Sequence, residues 1–212
     1  METLESILDE TRKELISKDK VRVTAYRDLR QAASQSKQAI LLIHQKRLKE
    51  AERLVEKAHK TISKVHNISA SQPSIIYSGL HSDTLQEYSE ANIFLKLVQE
   101  SRFITPKEIG VPSEDYVLGL ADVIGECRRA TLDALREGDA KKGEQYLQKM
   151  DQIYIELMAM DESYMLVPGL RRKCDVARKL IEITRGDITQ EIRRNELEKH
   201  LKQFEKHARS RK

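Results

Sequence analysis

Two pairs of carboxylates stand out by their spacing. LQEYSEANIFL carries Glu87 and Glu90 at i and i+3, and DYVLGLADVIGE (115–126) carries Asp122 and Glu126 at i and i+4. On a helix each pair shares one face. Glu87 and Glu90 have no Lys or Arg three or four residues away; Glu126 has Arg129, whereas Asp122 has no such neighbour. Between Tyr116 and Gly125 Asp122 is the one charge in an apolar run. A buried, unpaired carboxylate is costly unless it is neutralised, paired or bound to a cation.

Two neighbouring helices, each offering such a pair, would gather four acids around one point. All-oxygen ligation suits Mg²⁺ or Mn²⁺, which serve in-line phosphoryl displacement by activating water and stabilising the leaving oxygen. The same spacing also suits solvated or salt-bridged carboxylates, and that reading stays open here; the apolar setting of Asp122 argues against solvation. Gly119 and Gly125 flank Asp122 and leave room for another backbone or a ligand.

Charge distribution points the same way. The net charge is +4, with 38 Lys and Arg against 34 Asp and Glu. Residues 83–126 hold nine acids against Lys96, Arg102 and Lys107, while residues 169–212 hold fourteen Lys/Arg against seven Asp/Glu. An acidic centre with basic flanks suits a polyanion whose reacting phosphate meets a metal, although charged helix faces are also simply solvated. The six histidines form no ligand spacing with Cys or acids, and no Gly-rich phosphate loop or nucleophile motif is present. Tyr88 and Tyr116 read as packing residues. Cys127 and Cys174 lie 47 residues apart with no CxxC, and read as buried thiols of a reducing cytoplasm. METLESILDE has neither the basic nor the apolar part of a signal peptide, and AILLI (39–43) is too short to cross a bilayer.

These residues must be held by helices. Charged residues make up 34% of the chain and hydrophobic ones 39%, with 8 Gly and 4 Pro in 212 residues, the profile of a soluble all-α protein. From 21 to 65 the apolar positions step by three or four: Ala25, Leu29, Ala33, Ser36, Ile40 and Ile43, then Leu48, Ala51, Val55, Ala58, Ile62 and Val65. That register predicts one very long helix, or two with a break near His44, preceded by a shorter amphipathic segment at 3–17. Ser, Pro and Gly mark 67–82 as a loop. Helices follow over about 83–101, from Ser113 to Glu137, from a cap at Asp139 to about 162, and over 170–185. The stripe of the Ser113 helix is Val117, Leu120, Ala121, Ile124, Arg128, Thr131 and Leu135. Asp187 with Gln190 resembles a capping box opening a last charged helix.

EDYVLGLADVIGECRRATLDALREGD (114–139) resembles the signature of the translin family, above all its translin-associated factor X (TRAX) branch. The likeness continues in SKQAILLIH (36–44), QEYSEA (86–91), KCDVARKLIE (173–182) and Arg185-Gly186. It implies a single translin-like bundle of about six to seven helices with long N-terminal helices, residues 187–212 forming a basic helical extension. It also implies a Mg²⁺-dependent endoribonuclease of TRAX type, acting within a homo-oligomeric, octameric shell around RNA. The active-site acids of the TRAX branch, two glutamates of its QEYxEA motif and the aspartate of its GVAD motif, fall on Glu87, Glu90 and Asp122, with Glu126 as a fourth; translin itself lacks these carboxylates. The family's use of basic residues on the first long helix suggests Arg22, Arg27, Arg30 and Lys37 as phosphate contacts. Two alternatives belong to other classes. One is a non-catalytic translin-like binder of RNA or single-stranded DNA; the other is an all-α nucleoside triphosphate pyrophosphohydrolase.

Overall fold

The computed structural model describes residues 3–69, 73 and 79–209. They form α1 (Leu4–His44), α2 (Leu48–Ser69), α3 (Gly79–Glu100), α4 (Pro106–Ile109), α5 (Ser113–Arg136), α6 (Ala140–Met158), a 3-10 turn (Asp161–Met165) and α7 (Leu170–Arg209). The fold is all-α, with no strand among the described residues. Contacts divide the chain into two compact units, Met1–Gly119 and Leu120–Lys212.

In the first unit α1 packs against both α2 and α3, and α2 against α3. Serving two partners, the buried face of α1 is wider than the expected stripe. Ala32 and Ala39 join Ala25, Leu29, Ser36, Ile40 and Ile43, while Ala33 is only half-buried. The α2 register is buried as expected at Ala51, Val55, Ala58, Ile62 and Val65. Ala25, Leu29 and Val65 form one centre of this core, with Val21, Tyr26, Ile68 and Leu80 packed around it.

The long N-terminal register is two helices. Lys46 adopts a left-handed φ of 61°, its N–H bonds to the Ile43 carbonyl at 2.9 Å, and the Arg47 N–H reaches back to Leu42 at 2.9 Å. These two bonds close a Schellman turn in which lysine stands where glycine is usual. The expected separate segment at 3–17 is instead the continuous start of α1. Of the loop expected at 67–82, residues 67–69 end α2 and 79–82 open α3; the others, Pro73 apart, lie outside the described residues.

Between α3 and α5 the chain makes a single helical turn. Thr105 and Glu108 cap it reciprocally, and Gly110 leaves it at φ 67°. Burial of Asp115 next to α3 pushes its carboxyl above the usual carboxylate range, an effect partly offset by the Ser82 hydroxyl, which donates to it at 2.5 Å. The Tyr116 hydroxyl donates to the Ile104 carbonyl at 2.6 Å, a packing role as expected.

In the second unit Thr131 of α5 lies against Gly143 of α6, and α6 packs on α7. Gly138 (φ 81°) ends α5 with the same pair of bonds seen at Lys46, and Asp139 caps α6 by accepting from the Lys142 N–H. The expected boundary at Asp187 does not exist, because α7 runs unbroken through Gly186. The Asp187 carboxylate accepts from Arg128 Nη1 at 3.0 Å, and the same guanidinium donates to Thr184 Oγ1 at 2.7 Å. That network also explains an arginine in the α5 stripe: its side chain is 21% exposed and bridges to α7.

Candidate nucleic-acid and metal site

On α3, Glu87 and Glu90 occupy one turn. Glu87 is 30% exposed, and Lys37 of α1 approaches it at 3.1 Å. Glu90 is half-buried and does not lack a partner. Behind this turn Gly119 of α5 lies so close that a Cβ there would meet the Gln86 carbonyl oxygen at 2.7 Å and the Glu90 nitrogen at 3.0 Å. Glycine is therefore what lets the α5 backbone seat on the acidic turn. On its other flank, the Tyr88 hydroxyl hydrogen-bonds His59 Nδ1 at 3.1 Å.

Asp122 stands three residues further along α5, in the second unit. Its expected isolation is overturned. Lys173 of α7, 51 residues away in sequence, donates to both carboxylate oxygens at 2.6 and 2.5 Å. Asp122 is 37% exposed and Lys173 22%. Asp122 is thus neither unpaired nor fully desolvated, which removes the penalty inferred from its apolar neighbours. The pair borders a cavity of about 230 Å³ lined also by Gly125, Arg172, Val176 and Leu180. A Cβ on Gly125 would meet nothing within 4 Å, so this glycine leaves space where Gly119 gives contact. Glu126 is half-buried and has partners of its own.

Within each unit, no three His, Cys, Asp or Glu side chains among the described residues gather as a ready-made metal shell. The candidates are distributed as Glu87 and Glu90 in the first unit, Asp122 and Glu126 in the second.

Arg22, Arg27, Arg30 and Lys37 are all exposed on α1. At 3.6 residues per turn Arg27, Arg30 and Lys37 fall within about 80° of one another, away from the buried stripe. Arg22 is paired with Asp19 at 2.6 Å, and Lys37 with Glu87. Arg27 leans towards Asp28 at 3.4 Å while remaining 73% exposed.

Lys173 and the Asp28–Lys64 pair escaped the sequence reading. Asp28 is 4% exposed inside the α1 stripe and is held by Lys64 at 2.7 Å. An acid three residues after Ala25 in the apolar register was the available signal. Lys173 sits between the buried Leu170 and Cys174, which marks it as a lysine on an inward face. The thiols behave as expected: both are buried, and burial pushes Cys127 up to about 12. No described helix is long and apolar enough to cross a membrane.

The all-helical fold is that of solved C3PO structures. The chain matches AfC3PO with a TM-score of 0.78 and 34% identity, covering 87% of this chain and 96% of that one. AfC3PO solved as a complex with duplex RNA matches with a TM-score of 0.77 and 35% identity over 87% and 95%. Apo-NeC3PO, at 21% identity and a TM-score of 0.78, shares the fold over 90% of this chain and all of that chain. The translin family model matches residues 18–182, and the chain belongs to the translin family. An uncharacterised protein of Methanocaldococcus jannaschii is 31% identical over 192 residues, 90% of this chain and 85% of that protein.

Proposed function

We propose that this protein binds RNA and hydrolyses its phosphodiester bonds with Mg²⁺ or Mn²⁺, as an endoribonuclease of the TRAX type. The observation that carries the reading is the full set of four acids, Glu87, Glu90, Asp122 and Glu126, in a chain 35% identical to one solved with duplex RNA. The donor chemistry fits the ion: the set is carboxylate oxygen throughout, and neither Glu87 nor Asp122 is sealed from solvent. Glu87, Glu90 and Asp122 would hold it, with Glu126 a further ligand or the acceptor that orients the attacking water. A bound ion supplies Lewis acidity at a phosphate oxygen and a more acidic water.

The protein's own residues do the remainder. Arg22, Arg27 and Arg30 present cations on one exposed helix for the phosphate backbone. Lys37 and Lys173 balance Glu87 and Asp122 in the metal-free protein; once released, both are available to phosphate oxygens. The assembly that encloses RNA is a homo-oligomer of eight chains. Exposed Met165 (91%), Leu166 (73%) and Ile155 (62%) supply apolar surface for such contacts. Light scattering that gives a 24.5 kDa monomer at micromolar concentration overturns the shell.

A second reading, an RNA or single-stranded DNA binder without turnover, is favoured by one observation: Lys173 already neutralises both oxygens of Asp122. Labelled single-stranded and duplex RNA, incubated with Mg²⁺ or with EDTA, separates the two. Cleavage in Mg²⁺ alone, with binding in both, supports the nuclease; binding without cleavage in either supports the second reading. Arg27→Ala with Arg30→Ala lowers affinity and flattens the salt slope by about 1–2 for two lost phosphate contacts. An unchanged slope moves the RNA surface off α1.

A further inference from the structure

The family match ends at residue 182, yet α7 continues to Arg209 as one helix. The last residue of this helix buried in the second unit is Ile188, 2% exposed. From Glu196 to Arg209 every residue with a described side chain is exposed, including Leu197 (58%), Leu201 (54%) and Phe204 (74%). Their spacing of four and then three is that of successive d, a and d positions of a heptad. The flanking positions are ordered by charge. Glu191, Glu198 and Glu205 occupy every e position of the arm, and Arg193, His200 and His207 the g positions.

The e and g charges favour a second copy in parallel, while Arg194, at an a position, meets its own copy there and opposes the pairing. In a parallel, in-register pair of identical helices a g residue faces the e residue five places later on the other chain. Arg193 then meets Glu198, and His200 meets Glu205, twice over by symmetry. In an antiparallel pair e would face e and g would face g, setting glutamate against glutamate. The opposite side of the arm is already in use. Ile192, Asn195, Glu196, Lys199 and Lys202 line a cleft against the α5–α6 turn at Gly138–Lys141, so the apolar Ile192 lies off the stripe for a reason; Glu198 stands at the edge of this cleft, 3.9 Å from Arg194 of its own chain. Leu197, Leu201 and Phe204 do not line that cleft.

We propose that residues 190–209 form a parallel, in-register coiled coil with the same segment of a second copy of this chain, a device added beyond the family fold. Just under three heptads are short for a free coiled coil, since helix nucleation is costly. Here that cost is already met, because the first half of α7 is folded against α6 and anchored by the Arg185–Asp151 pair at 2.9 Å. The proposal does not depend on nuclease activity.

Site-specific disulfide trapping of the full-length chain tests it. Residues at a positions meet their own copies in a parallel pair, so Arg194→Cys and Leu201→Cys should each give a reducible dimer under mild oxidation. Lys206→Cys, at an exposed f position that does not line that cleft, should form dimer at least about tenfold more slowly because it gains no local concentration from the pairing. The native thiols are buried and stay silent. Adding Glu198→Lys to Leu201→Cys should slow trapping, and adding Arg193→Glu to that variant should restore it. Self-trapping at one a position but not the other indicates an antiparallel or offset pair and overturns the proposal. So does equal trapping of the Lys206→Cys and Leu201→Cys variants, or no dimer from variants whose helicity and melting match the parent.

Discussion

Glu87 on α3 and Asp122 on α5 are each held by a lysine, but in different ways. Lys37 is 64% exposed and stands 3.1 Å from one oxygen of Glu87. Lys173 is 22% exposed and donates to both oxygens of Asp122 at 2.5–2.6 Å. The α3 acids owe their position to packing, because Gly119 seats the α5 backbone on the turn that carries them. Asp122 beside its cavity owes its position to charge. A group fixed by packing is insensitive to the loss of its ion pair, whereas one fixed by a sheltered ion pair is not. The contrast can be broken at each end.

The largest effect belongs to packing. Gly119→Ala drives a methyl group into the Gln86 carbonyl, and overpacking of this kind costs roughly 1–3 kcal/mol. Gly125→Ala, with open space around it, should instead be neutral or stabilising by up to about 1 kcal/mol, because alanine is the better helix former. Chemical denaturation of the two variants checks the difference, and equal destabilisation would contradict the close seat of α5 on α3.

Next comes the charge-held carboxylate. Without Mg²⁺, Asp122→Asn leaves Lys173 without its anion and should cost about 1–2 kcal/mol, between the values for exposed and buried pairs. Lys173→Met should cost less, since Asp122 is 37% exposed and can be hydrated. The double variant should recover part of the loss, giving a coupling energy of about 1 kcal/mol in a double-mutant cycle. A zero coupling, or an Asp122→Asn protein more stable than the parent, would show that repulsion among the acids outweighs the Lys173 pair.

The smallest effect is at the exposed pair. Glu87→Gln and Lys37→Met should each stay within about 0.5 kcal/mol of the parent in stability. Glu87→Gln should nevertheless reduce metal-dependent cleavage as strongly as a change at Asp122. A large stability loss at Glu87 would erase the distinction between the two helices.

How much of this was legible in the sequence turns on particular residues. Gly138 and Lys46 close identical Schellman turns, with φ values of 81° and 61°. The glycine marked its helix end in advance; the lysine hid its own, because a side chain in the left-handed region carries a steric cost that local preference predicts against. The α3 and α5 acids, the two glycines beside Asp122 and the cap at Asp139 were all readable from short-range spacing. The partner of Asp122 was not, because it lies 51 residues away and only tertiary packing delivers it. Asp187 failed for the same reason: its side chain and Gln190 match a capping box, but Arg128 from α5 takes the carboxylate and the helix continues.

The proposed role of the carboxylates is phosphodiester hydrolysis and not charge balance alone. Asp122→Asn tests it most directly, through RNA cleavage in Mg²⁺ measured beside RNA binding on the same folded sample. The amide keeps the shape but loses the negative charge that a Mg²⁺ ligand supplies. The parent should cleave, and the variant should bind RNA with equal or higher affinity but release no product. A variant that is destabilised yet still cleaves, or a parent that binds RNA and never cleaves it in Mg²⁺, would contradict that role.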